Sequence, residues 1–239
     1  MRFNKEVMRL KWQMNRRPSA LVTVTVILII LALLAHFQAT PLNWLDQALA
    51  APLQTTVTPT KTFLMRLISV LAKPAMAVLY AVVLTGALWY WQRRATAVWV
   101  LVSFGLGGVG SWLLKFIVAR PRPTAHVLVA ENGYSFPSGH VFSAVMIVSL
   151  LYFVFARTLP KLWQRLGCLI AVGLWLGLVV TARVYLGAHY PSDTVAALLL
   201  GYLWLRTTLW LYRRFYPRLQ ARLAVQQPTM RHAHKDTRK

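Results

Sequence analysis

The chain has 239 residues, 57% of them hydrophobic and only 13% charged, a balance that excludes a soluble globular domain and calls for a membrane. Its 27 Lys and Arg against 5 Asp and Glu give a formal charge of +22, but the cations form no solvent-facing basic domain, so nucleic acid is not expected as a partner. The single cysteine, Cys168, excludes an intrachain disulfide and reads as a small buried hydrophobe.

Residues 1–18 form a basic N-terminus, followed by a first uncharged stretch at 20–37. Ala48-Leu49-Ala50 imitates a signal-peptide cleavage site, but the apolar run is too long and ends well before it, so an uncleaved anchor is expected. Lys61, Arg66 and Lys73 then lie on a semi-polar stretch that predicts an outer interfacial helix. Further spans follow at 74–91, 95–114, 141–156, 166–182 and 191–212, the last interrupted by Asp193 and Arg206. A hydrocarbon core of about 30 Å takes roughly 20 helical residues, and the shorter stretches reach that length with their flanks. The predicted fold is therefore an all-α polytopic membrane protein with six transmembrane helices. A membrane domain spans 19–212, and residues 213–239 form a basic tail.

Threaded through six spans, nineteen of the cations fall on one side: those before residue 18, Arg93 and Arg94, Arg157, Lys161 and Arg165, and those after residue 212. The positive-inside rule makes that side cytoplasmic and predicts both termini there, in a bacterial-type plasma membrane. The basic tails are expected to attract anionic lipid headgroups. Gly105-Leu106-Gly107-Gly108-Val109-Gly110 spells a dinucleotide fingerprint, yet no strand precedes it. Ser103, Gly107 and Ser111, with Gly173 and Gly177, are expected instead to let membrane helices approach closely. The aromatic residues at 89–91 and 204–212 read as interfacial belts.

Four cations violate the charge bias: Lys115, Arg120, Arg122 and Arg183. They belong to three blocks, KFIVARPRP from Lys115, PSGH from Pro137 and RVYLGAHYPSD from Arg183, which span parity puts on one membrane face. Arg122 and Arg183 offer planar forks for phosphate oxygens, and Lys115 adds a compact charge. Gly139 permits a close backbone approach at a helix start, where Ser138 adds a hydroxyl. His189 and Asp193 are four residues apart, so the carboxylate can orient the ring as a nucleophile, and His140 can protonate the leaving oxygen. His36 and His126 read as structural, and His232 and His234 as part of a solvated tail. Glu131 is most simply a loop residue paired with Arg120. With Asp46, Glu131 and Asp193 as the outer carboxylates, ligands for a two-metal site are scarce, and no metal or other cofactor is expected.

As they stand, these residues resemble the type 2 phosphatidic acid phosphatase family, whose pattern is Lys-x6-Arg-Pro, Pro-Ser-Gly-His and Ser-Arg-x5-His-x3-Asp. The match runs from Lys115 to Asp193, with Ala182 in place of the family's serine. The resemblance implies a metal-independent lipid phosphatase with a phosphohistidine on His189, acid–base help from His140 and orientation by Asp193. Phosphate would be held by Lys115, Arg122, Ser138, Gly139 and Arg183. Undecaprenyl diphosphate, phosphatidylglycerol phosphate, phosphatidic acid and diacylglycerol pyrophosphate are the substrates it implies, without choosing among them. Two alternatives stay open. A non-catalytic lipid-binding or scaffold protein would draw on Ala182, and a serine acyl hydrolase would use Ser138, His189 and Asp193, although PSGH lacks a strand-to-helix elbow.

Overall fold

The computed structural model describes residues 18–225, and helices are the regular elements of that region, with no strand among the described residues. In chain order they are α1 (Pro18–His36), α2 (Thr40–Gln54), α3 (Pro59–Leu71), α4 (Pro74–Tyr90), α5 (Arg94–Val118), α6 (Gly139–Val154), α7 (Leu162–Tyr185) and α8 (Pro191–Val225). A 3-10 turn at Ala156–Thr158 joins α6 to α7. Proline opens α3, α4 and α8, where its missing N–H costs nothing and its fixed φ suits the first turn. Thr58 caps α3 by accepting a bond from Lys61 N at 3.2 Å.

Five helices, α1, α5, α6 with its 3-10 extension, α7 and α8, are each long and apolar enough to cross a membrane. Taken together, α3 and α4 meet the same test as one stretch bent by 45° at Ala72 and Lys73, which brings the number of candidate spans to as many as six. A helix covers each predicted span, and Lys61 and Arg66 of the semi-polar stretch lie on α3, with Lys73 just before α4. The last helix continues past residue 212 to Val225. Residues 1–17 and 226–239, which carry His232, His234 and much of the basic charge, lie outside the described residues.

The central helix is α6: 56% of its span is buried inside the protein, against 11% for α1. Val141, Met146 and Leu150 of α6 form the main core with Leu88 of α4, Val100 of α5 and Val179 of α7. Close packing of α5 on α8 explains the glycine run. A Cβ on Gly107 would lie 2.5 Å from Trp204 Nε1, and that indole donates to Ser103 O at 2.7 Å. Two expectations fail here. Gly173 and Gly177 meet nothing within 4 Å, so they join no helix interface, and Trp204 serves helix packing and not an interfacial belt. His36 is structural as expected, its Nδ1 standing 3.0 Å from Val118 O and tying α1 to the end of α5. The C-termini of α5 and α7 and the N-termini of α6 and α8 share one end of the bundle.

Candidate active site

The site is assembled by the segment between α5 and α6 and by the turn between α7 and α8. Ala119 ends α5 in the left-handed region (φ 50°), and the chain doubles back so that Ser135 N donates to Arg120 O at 2.8 Å. Leu128 N donates to Leu186 O at 3.0 Å, which lays this loop over the α7–α8 turn. The crossing is tight. Gly187 has φ +65°, and a Cβ there would sit 2.2 Å from His126 O, so no other residue fits without moving the loop.

His189 and Asp193 are buried, but their closest approach, Nδ1 to Oδ2, is 3.6 Å, longer than the direct hydrogen bond the spacing suggested. Ser135 fills the gap. Its Oγ is 3.3 Å from His189 Nδ1, and its hydroxyl donates to Asp193 Oδ2 in a short bond. On the other side of the ring, Arg122 Nη1 lies 3.3 Å from His189 Nε2. A guanidinium only donates, so Nε2 is the acceptor and the proton resides on Nδ1, facing Ser135. The lone pair of Nε2 therefore points at the cationic part of the site. Tyr190 N adds a further bond to Asp193 Oδ2 at 3.0 Å.

Lys115, Arg122, Ser138, Gly139, His140 and Arg183 gather around the same mouth. Lys115 Nζ donates to the carbonyls of Tyr134 (2.6 Å) and Pro137 (3.2 Å). Arg122 is splayed over Gly133 O at 2.9 Å, Asn132 O at 3.1 Å and Ala188 O at 2.7 Å. Arg183, fully buried, donates to Ser69 Oγ at 2.5 Å and to Glu131 Oε1 at 2.7 Å. Ser138 begins α6, and its buried Oγ has no partner; nor does Arg183 Nε. Two orphaned buried donors, one of them on Arg183, with Lys115 and Arg122 nearby are what an oxyanion would satisfy. Gly139 is not constrained by the protein, since a Cβ there would meet only Pro74 Cγ at 3.7 Å.

Glu131 does not pair with Arg120 as expected. It bonds Arg183 and stands 3.9 Å from His140 Nε2, so a loop carboxylate occupies part of the cationic pocket. Arg120 is instead fully enclosed between two carboxylates, with Asp193 Oδ1 and Asp46 Oδ2 each at 2.8 Å. It also donates to Ser192 Oγ at 2.8 Å and stacks on Tyr190 at 3.9 Å. Asp46, from α2, accepts from Ser192 N and Ser192 Oγ at 2.7 Å each. Each buried charge here has partners on every side, the condition under which burying it is tolerable.

Burial pushes His189 down to about 4. Asp193 pulls it upward, and Arg183 and Arg122 push it further down, so the ring is neutral at neutral pH. Burial pushes the Glu131 carboxyl up, but the charge and hydrogen bond of Arg183 outweigh it and hold the group below its usual range.

Ser135, Asp46 and Ser69 were missed by the sequence reading. For Ser135 a signal existed, a polar side chain just ahead of PSGH in the block that turns into α6. For Asp46 the only signal was an acid in an acid-poor chain. Ser69 had none; it supplies the hydroxyl beside Arg183, while Ala182, in the family's serine position, is completely buried.

Residues 96–217 match the sequence model of the PAP2 superfamily. Phosphatidylglycerophosphatase B of Bacillus subtilis (strain 168) is 29% identical over 123 residues, 51% of this chain and 61% of that protein. Undecaprenyl-diphosphatase of Sulfolobus acidocaldarius is 33% identical over 116 residues, 46% of this chain and 52% of that protein. The chain thus covers less than two thirds of the length of these relatives. The crystal structure of a transmembrane PAP2-type phosphatidylglycerolphosphate phosphatase from Bacillus subtilis superposes with a TM-score of 0.72 at 24% identity, covering 83% of this chain and 96% of that one. The likeness is one of fold.

Proposed function

The chain belongs to the PAP2 superfamily, and from that premise we propose that it is a membrane lipid phosphatase cleaving a phosphate monoester or diphosphate lipid through a phosphohistidine on His189. The observation that carries this is the polarity of the His189 ring: Nδ1–H faces Ser135 and Asp193, and the Nε2 lone pair faces Arg122 among the phosphate-binding cations.

When a substrate phosphate enters, its oxygens take over Arg122, Arg183, Lys115 and the unpaired Ser138 hydroxyl. Preorganised donors of this kind are worth about 3–4 kcal/mol each in a transition state shielded from water. Nε2 attacks phosphorus, forming the N–P bond as the bond to the leaving oxygen breaks. His140, whose protonation the negative charge of the bound phosphate favours, gives its proton to that oxygen. The imidazolium that develops is stabilised through Ser135 by Asp193, whose charge Arg120 and Asp46 hold in place. In the second half-reaction His140 takes a proton from water, which attacks phosphorus, restores His189 and releases inorganic phosphate.

The cationic end is assigned to the extracytoplasmic face of a plasma membrane, with both termini cytoplasmic; the inside-positive charge pattern supports this. Residues 19–212 act as the phosphatase domain.

Phosphate release by the detergent-purified protein, measured with a chelator present, tests the function. Chelator-resistant release lost in His189→Ala is expected. Release that persists in that variant would overturn the phosphohistidine, and no release from any lipid phosphate would favour a binding protein.

A further inference from the structure

The cations at the cradle end of the bundle are engaged by protein oxygens, with one exception. Arg120 is held by Asp46 and Asp193, and Arg183 by Glu131 and Ser69. Lys61, Arg66, Lys115 and Arg122 each donate to backbone carbonyls. Lys73 differs. It is exposed, and its ammonium has no hydrogen bond or ion pair among the described residues. Asp46, Asp193 and Glu131 are already bound to the two buried arginines, so none of them neutralises it.

The neighbours of Lys73 in the chain fix its place. Four residues earlier, Ser69 Oγ accepts from Arg183 at 2.5 Å, and one residue later a Cβ on Gly139 would lie 3.7 Å from Pro74 Cγ. The segment between these contacts, the bend from α3 to α4, therefore runs along the rim of the cradle from Arg183 to the start of α6. Lys73 is the one cation on it. Its charge acts on the His140 ring, whereas the charges that act most on His189 are those of Asp193, Arg183 and Arg122.

That difference gives Lys73 a side. In an in-line displacement the nucleophile and the leaving oxygen stand on opposite sides of phosphorus. His189, with Arg122 at 3.3 Å from Nε2, marks one side, and His140, the donor to the leaving oxygen, marks the other. A monoester loses an oxygen bonded to carbon, which brings no further charge there. A diphosphate loses an oxygen that still carries an anionic phosphate, and only this second group gives a free ammonium a ligand.

We propose that Lys73 is a specificity-determining residue: its ammonium holds the inner phosphate of a lipid diphosphate and so favours diphosphates over monoesters. His189 Nε2 bonds the outer phosphorus as the bridging P–O bond breaks. The bridging oxygen keeps the bonding pair, takes the proton of His140 and departs within a lipid monophosphate, and water then cleaves the N–P bond. The assignment deepens the phosphatase function and rests on it for the attacked phosphate.

Diacylglycerol pyrophosphate and phosphatidic acid with the same acyl chains differ by one phosphate and make the test. In the full-length protein, Lys73→Gln should lower the ratio of kcat/KM for the pyrophosphate to that for the monophosphate about tenfold, the loss of one hydrogen bond to a charged group. Lys73→Arg, which keeps the charge, should retain most of the ratio. An unchanged ratio in Lys73→Gln overturns the proposal, since a lysine that only meets water or neighbouring headgroups behaves that way. An equal fall in Lys73→Arg also overturns it. As a second measurement, calorimetry on the His189→Ala protein compares binding of inorganic pyrophosphate and inorganic phosphate. Adding Lys73→Gln should weaken pyrophosphate about tenfold relative to phosphate, and equal weakening of both sinks the proposal. If the parent protein hydrolyses neither lipid while pyrophosphate binding still depends on Lys73, the phosphatase function fails and the inner-phosphate site stands. If it hydrolyses both and neither ratio depends on Lys73, the reverse holds.

Discussion

Arg120 and Asp46 meet at 2.8 Å with side chains 1% exposed, although 74 positions separate them in the chain. Their contact holds Asp193 from behind, because the same guanidinium grips the carboxylate that serves His189. Removing the arginine strands two buried acids. Arg120→Met is therefore expected to cost about 3–5 kcal/mol of stability, the usual penalty for breaking a buried pair. Thermal unfolding in detergent measures this, and a melting temperature equal to the parent's would refute it.

Ser135 is expected to act on rate and not on substrate binding. Ser135→Ala removes the hydroxyl shared by His189 and Asp193 and leaves the cations untouched. A hydrogen bond to a charged group is worth about 1.5–3 kcal/mol, so kcat should fall by about one to two orders of magnitude with KM nearly constant. Steady-state kinetics on one lipid phosphate decide it; a raised KM with an unaltered kcat would make Ser135 a binding residue.

The pH profile follows from the burial of His189. Its proton is lost at about 4, so kcat/KM should show no acid limb at the ordinary histidine value near 6.5 from this group. On the acid side, activity falls when the pH drops low enough to protonate Nε2. Arg122 is one of the cations that push this value down, so Arg122→Gln should move the limb upward in pH, on top of any loss in rate. A limb that moves downward in the variant would contradict the assigned electrostatics.

Glu131 pairs with Arg183 and so sits among the site's cations. Substrate phosphate and this carboxylate compete for the same guanidinium. Glu131→Gln weakens the competitor, and inorganic phosphate should then inhibit at about tenfold lower concentration, the equivalent of about 1.4 kcal/mol. Product-inhibition curves for the two proteins provide the comparison, and weaker inhibition of the variant would mean that Glu131 assists anion binding.

The six spans were legible because charge is so rare in this chain that its absence marks each helix. The convergence of Lys115, Ser138 and His189 was legible because an even number of crossings returns the chain to one face. Partner choice was not. Nothing in the spacing of Arg120 distinguishes Glu131, eleven residues away, from Asp46, and the structure selects Asp46 through the entry of α2. Ser135 was hidden for a similar reason. Four-residue spacing suggested that His189 and Asp193 touch, but His189 precedes the first turn of α8, and the ring stands far enough off to admit a hydroxyl. Gly173 and Gly177 misled because small residues look alike whether they face a helix or open space.

The Asp46–Arg120–Ser192 knot also sets an order of events at the ribosome. Asp46 is synthesised 146 residues before Ser192, whose backbone and hydroxyl it accepts, and 74 before its arginine. Two of its three hydrogen bonds reach the first turn of α8, and the third comes from Arg120. Docking of the final helix thus completes the partner set of a carboxylate made near the start of the chain, and ties the two ends of the membrane domain together.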